Sequence, residues 1–120
     1  MPIPASIESI LSGKIVEQQR IEYKTGWDPK EVLHSICAFA NDFDDFGGGY
    51  IILGVKAEDG VPESYPGIPD DKLDSVEGEI LEYSKRCLSQ DYLPSMEVVQ
   101  KEGKNLIVIW AFSGEQRPYL

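Results

Sequence analysis

Apolar and polar positions recur along this chain in two rhythms, and each change from one to the other marks an element. Ile3, Ile7, Ile10 and Leu11 return at helical spacing ahead of Gly13, so a short N-terminal helix is expected. Arg20-Ile21-Glu22-Tyr23-Lys24 then alternates polar and apolar with the two-residue period of a half-buried strand, which puts Arg20, Glu22 and Lys24 on one face. Thr25, Gly26 and Trp27 supply a turn. Asp28-Pro29-Lys30-Glu31 has the form of a helix start, with an acid at the cap, proline in the first turn and Glu31 three residues after the cap. The helix predicted over Pro29–Ala40 lines up Val32, Leu33, Ile36, Cys37 and Ala40, and Asn41 is a residue suited to ending it.

Gly47, Gly48 and Gly49 predict a turn, because they permit backbone angles and close approaches that side chains forbid. Tyr50, Ile51, Ile52, Leu53 and Val55 follow as an almost unbroken apolar run, the pattern of a central strand covered on both faces, here predicted over Gly49–Lys56. Ala57 to Pro69 holds two glycines, three prolines and three acids and is expected to be a long surface loop. A second helix, predicted over Asp71–Leu88, carries Leu73, Val76, Ile80, Leu81 and Leu88 on one face, with acids early and Lys85 and Arg86 late, as the helix dipole favours. Met96 to Lys101, a tight Glu102-Gly103 turn and Asn105 to Phe112 read as a β-hairpin. The expected fold class is α+β: a mixed central sheet with a C-terminal β-hairpin and two main covering helices.

Length fixes the scale. At 120 residues, positions 1–120 form a single domain, large enough to bury about 65% of its unfolded surface. The longest apolar run, Leu106 to Phe112, falls far short of the roughly 20 residues a membrane span needs. The first residues also lack a basic-then-apolar signal pattern, so the expected location is the cytoplasm, with no membrane partner. Cys37 and Cys87 fall at apolar-facing helical positions and read as reduced core thiols, and His34, off the apolar stripe, reads as a surface residue.

The net charge of −10 runs against simple phosphate binding, which depends on basic side chains displacing counterions. Its distribution changes that picture. Residues 41–82 carry twelve acids against Lys56 and Lys72, whereas the segments on either side are close to neutral, so the two ends are left to share a basic face. Lys14, Arg20, Lys24 and Lys56 are the candidate nucleic-acid-binding residues. They form a diffuse set with no helix-turn-helix or zinc-finger spacing, and binding through them is expected to be weak and salt-dependent. Gly49 to Lys56 does not make a nucleotide site, because a phosphate-binding loop needs Gly-Lys-Ser/Thr between a strand and a helix. No cofactor is expected.

The run Cys37-Ala38-Phe39-Ala40-Asn41, then Gly47-Gly48-Gly49-Tyr50-Ile51-Ile52-Leu53-Gly54-Val55, then an acidic turn with Gly60, all preceded by Ile21-Glu22-Tyr23-Lys24, resembles the AlbA-like domain of the Schlafen type. The resemblance spans Ile10 to the C-terminus. It implies the N-terminal nucleic-acid-binding domain, with DNA as the foremost target, of a bacterial transcriptional regulator of the kind labelled ATP-dependent DNA helicase-related. The family pattern continues with a further strand, so the chain is expected to be a domain cut from a longer protein. Some eukaryotic relatives cleave RNA with clustered carboxylates, and that alternative would assign Glu17, Glu22 and Lys24 catalytic roles, with Glu17 and Glu22 holding a divalent metal ion. The resemblance also exposes a departure: where those relatives place a third acid after the central Gly-Val, this chain has Lys56, with Glu58 and Asp59 the nearest acids. A protein-interaction module with an acidic surface, including a homo-oligomer, is the third reading.

Overall fold

The computed structural model describes residues 21–41, 48–88, 92 and 94–112, and everything said here of structure concerns those. The elements are β1 (Ile21–Lys24), α1 (Pro29–Asn41), β2 (Gly48–Leu53), β3 (Lys56–Glu58), β4 (Val61–Ser64), a 3-10 turn (Asp70–Lys72), α2 (Leu73–Cys87), β5 (Ser95–Lys101) and β6 (Lys104–Phe112). The expected N-terminal helix, Gly47 and the Cys87 side chain lie outside the described residues. Asp28 caps α1 as its sequence predicts: its carbonyl accepts from the Val32 N–H at 3.0 Å and its carboxylate from the Glu31 N–H at 3.4 Å.

Four strands form one mixed sheet in the order β1-β2-β6-β5, with β1 parallel to β2 and the remaining pairs antiparallel. All six residues of β2 are buried, which is what a continuous apolar run at the centre of a sheet requires. Period-two alternation splits the core into two layers. Ile51, Leu53, Ile107, Ile109 and Ala111 face Val32, Ile36, Phe39 and Ala40 of α1 and Val76 and Ile80 of α2. On the opposite face Ile21, Tyr23, Tyr50, Ile52, Val55, Leu106 and Val108 pack together, with Ala57, Tyr65, Val99 and Trp110 against them. The α+β expectation holds, with both helices on one face of the sheet.

Three local expectations change. Gly48 and Gly49 are the first residues of β2, paired with Phe112 and Ala111, rather than members of a turn. The strand predicted to run to Lys56 stops at Leu53, because Gly54, at φ 93°, turns the chain and Lys56 opens β3. The expected loop from Ala57 to Pro69 contains most of a two-stranded antiparallel ribbon, β3–β4. Asp59 and Gly60 close that ribbon at φ 53° and 77°, the paired positive angles of the turn that best matches strand twist. Glu102 and Gly103 repeat the device at φ 52° and 76° between β5 and β6.

Candidate nucleic-acid interface

The carboxyl ends of the parallel pair β1–β2 gather the chemistry-bearing residues, as the open edge of a parallel unit tends to do. Lys24 and Leu53 are register partners there, and the Lys24 carbonyl accepts from both the Gly54 N–H (2.8 Å) and the Val55 N–H (3.1 Å). Those two bonds fix where Lys56 emerges, one residue further on. The Gly54 carbonyl in turn accepts from the Gly67 N–H at 3.0 Å, and Ile68 donates to the Asn105 carbonyl at 2.8 Å, so the segment after β4 is tied across the same end of the sheet.

Glu22 and Lys24 stand on one face of β1, as the alternation predicts, and that face turns toward α1. The Glu22 carboxylate accepts a hydrogen bond from the buried Ser35 hydroxyl at 2.5 Å. Its same oxygen lies 3.4 Å from the Lys24 ammonium, which also approaches the Glu31 carboxylate at 3.6 Å. One lysine is therefore shared between two carboxylates, with its side chain 24% exposed. A hydrogen bond to a charged group in a part-buried place contributes about 1.5–3 kcal/mol, whereas the Lys24–Glu31 pair, whose carboxylate is exposed, contributes about 0–1 kcal/mol. Ser35 is accordingly the firmer anchor for Glu22, and sequence reasoning did not find it. Its only signal was a polar residue falling among Val32, Ile36 and Phe39 on the buried stripe of α1.

Of the four candidate phosphate contacts, Lys14 and Arg20 lie outside the described residues, as does Glu17 of the carboxylate alternative. Lys24 is half-buried in its ion pairs, and Lys56 is exposed. Among the described residues no three of His, Cys, Asp and Glu converge closely enough to hold a metal ion. Glu58 is engaged with its neighbour across the ribbon: a hydrogen bond with Glu63, then the repulsion of that like charge, then slight desolvation raise its pKa above the ordinary carboxylate value. His34 is exposed, as expected, and Cys37 is half-buried against the core.

A cleft of about 400 Å³ opens beside this corner, lined by Trp27, Ile68, Pro69 and Val76 with Lys72 and Glu79 among the polar residues. The indole N–H of Trp27 donates to the Glu79 carboxylate at 2.7 Å, joining the loop after β1 to α2 across 52 positions of sequence. The Asn105 amide donates to the Asp70 carboxylate and also to the Ile68 carbonyl, the latter at 3.2 Å.

Two solved structures share this architecture. The N-terminal domain of a Nitrosomonas europaea protein, described by its relation to the ATP-dependent DNA helicase RecG, superposes with a TM-score of 0.75 at 28% identity, covering 97% of this chain and 80% of that one. The DIP2311 protein of Corynebacterium diphtheriae matches in fold, with a TM-score of 0.57 at 16% identity, over 91% of this chain and 25% of its own length. No curated protein matches the sequence. Among the described residues no helix is long and apolar enough to cross a membrane. The family model described as Schlafen, AlbA_2 matches residues 17–120, nearly the whole chain, and the chain belongs to that family.

Proposed function

We propose that this chain is the nucleic-acid-binding, N-terminal domain of a bacterial transcriptional regulator, acting on DNA through phosphate contacts rather than base reading. The observation that carries the reading is the family match over residues 17–120, supported by the fold shared with the N-terminal domain of a RecG-related protein. Lys56, exposed directly after the turn that the Lys24 carbonyl fixes, is the leading contact among the described residues. Lys24 joins it when phosphate competes with Glu31 for the ammonium, and Lys14 and Arg20 complete the set. Binding is weak, because this small basic group works against a net charge of −10.

Titration of labelled single- and double-stranded oligonucleotides at two salt concentrations tests the proposal. Affinity should fall steeply with salt, and Lys56→Ala should weaken binding evenly across sequences while reducing the log–log salt slope by about 1. Affinity indifferent to salt, or no binding at low salt, would overturn it.

A further inference from the structure

The two carboxylates that hold Lys24 are of unequal standing. Glu22 accepts from the Ser35 hydroxyl at 2.5 Å as well as lying 3.4 Å from the ammonium, and its side chain is 32% exposed. Glu31 is 67% exposed and reaches the same ammonium at 3.6 Å. An anion arriving from solvent therefore displaces Glu31 first, because that carboxylate gives up one weak, screened contact and is readily hydrated when it leaves. Glu22 stays, tied to α1 by Ser35.

Glu31 also has somewhere to go. It stands three residues after the cap Asp28, the position from which the side chain of a capping box accepts from the backbone N–H of the cap residue. The forward half of that box is made, since the Glu31 N–H donates to the Asp28 carboxylate at 3.4 Å. The return half is not: among the described residues the Glu31 carboxylate has Lys24 as its one partner. A carboxylate in the first turn of a helix is favoured by the helix dipole, so the return position is a stable alternative. One side chain thus has two places, and only one of them occupies the lysine.

We propose that Glu31 is a built-in competitor for the phosphates of the nucleic-acid backbone: at rest it holds Lys24, and when phosphate takes the ammonium it swings back to complete the capping box at Asp28. This rests on the nucleic-acid-binding reading and adds the regulation of its site. The competition is local. The net charge of −10 opposes every phosphate contact alike, whereas Glu31 acts only through Lys24 and sets the affinity below what that lysine would give without it. Ser35 has the complementary part, keeping Glu22 in place so that Lys24 remains on the same face of β1 whichever anion it meets.

Titration of a fluorescein-labelled DNA duplex at low salt with the parent chain, Glu31→Gln, Lys24→Ala and the double variant tests this. Glutamine keeps the capping-box acceptor and removes the charge, so Glu31→Gln should unfold at the parent's midpoint. It should bind about two- to fivefold more tightly, the range that releasing an exposed ion pair covers. In the Lys24→Ala background the same change should bring no such gain. In an NMR titration the Asp28 amide of the parent should move toward its position in free Glu31→Gln, as that N–H acquires its side-chain acceptor. Equal affinities of Glu31→Gln and parent overturn the proposal while leaving nucleic-acid binding in place. A gain of the same size without Lys24, or an Asp28 amide that stays put at saturation, does the same. Absence of binding by all four proteins at low salt overturns both this proposal and the reading it rests on.

Discussion

Gly48 holds φ 96° inside a strand, and a Cβ there would overlap the Ala111 carbonyl oxygen and lie 2.7 Å from the Phe112 Cα. Its neighbour Gly49 leaves room for the Phe39 ring, which occupies the space a side chain would fill. A β-branched residue at 48 therefore meets both a forbidden backbone angle and a neighbouring strand that cannot retreat without losing β2–β6 pairing. Gly48→Val should destabilise the fold by more than about 1 kcal/mol, read as a lowered denaturation midpoint; equal midpoints for variant and parent would refute it. That these glycines are structurally required was legible in the sequence, but the reason was not. A glycine run beside a helix reads locally as a turn, whereas the atoms that exclude a side chain come from α1 and from β6, more than 60 positions away in the latter case.

At the scale of elements, long periodic segments were legible and interrupted ones were not. The alternation of β1, the apolar run of β2, the stripe of α1 and the β5–β6 hairpin all follow from patterns that agree with their surroundings. The β3–β4 ribbon carries the strongest short hairpin signal, Asp59-Gly60, yet Pro62, Pro66 and Pro69 and the brevity of each strand made it read as a loop. The same ribbon brings two carboxylates together, Glu58 and Glu63, and this sets a pH dependence. The folded-state pKa of Glu58 is raised above its unfolded value, so the folded chain holds that proton more tightly. The resulting contribution to stability is full below the unfolded pKa and is lost as pH rises through the folded one. Carboxyl NMR titration should find Glu58 above the ordinary glutamate value, and Glu63→Ala should bring it down. A Glu58 titration unmoved by that substitution would show that the pair does not interact.

For the molecule as a whole, charge and the assembly of the corner decide what chemistry is available. The corner was the least legible part, because Trp27 and Glu79, or Gly54 and Gly67, meet only through the fold. Metal-dependent phosphodiester cleavage needs carboxylates free to bind an ion and to place it against the attacking water and the leaving oxygen. Glu22 is already committed to Ser35 and to the Lys24 ammonium, so a divalent ion would have to displace a cation held between two acids. Lys56 occupies the place after Gly54-Val55 where cleaving relatives put an acid, and of its acidic neighbours Glu58 is paired with Glu63 while Asp59 sits in the turn that closes the ribbon. A lysine at that place favours a phosphate and repels a divalent cation. We therefore expect the chain to hold a nucleic-acid backbone without cutting it: with magnesium or manganese, its cleavage of RNA or DNA should be indistinguishable from that of Glu22→Ala. Metal-dependent cleavage that disappears in both Glu17→Ala and Glu22→Ala would reverse this conclusion, and a further loss in Asp59→Ala would identify the turn residue as the third ligand.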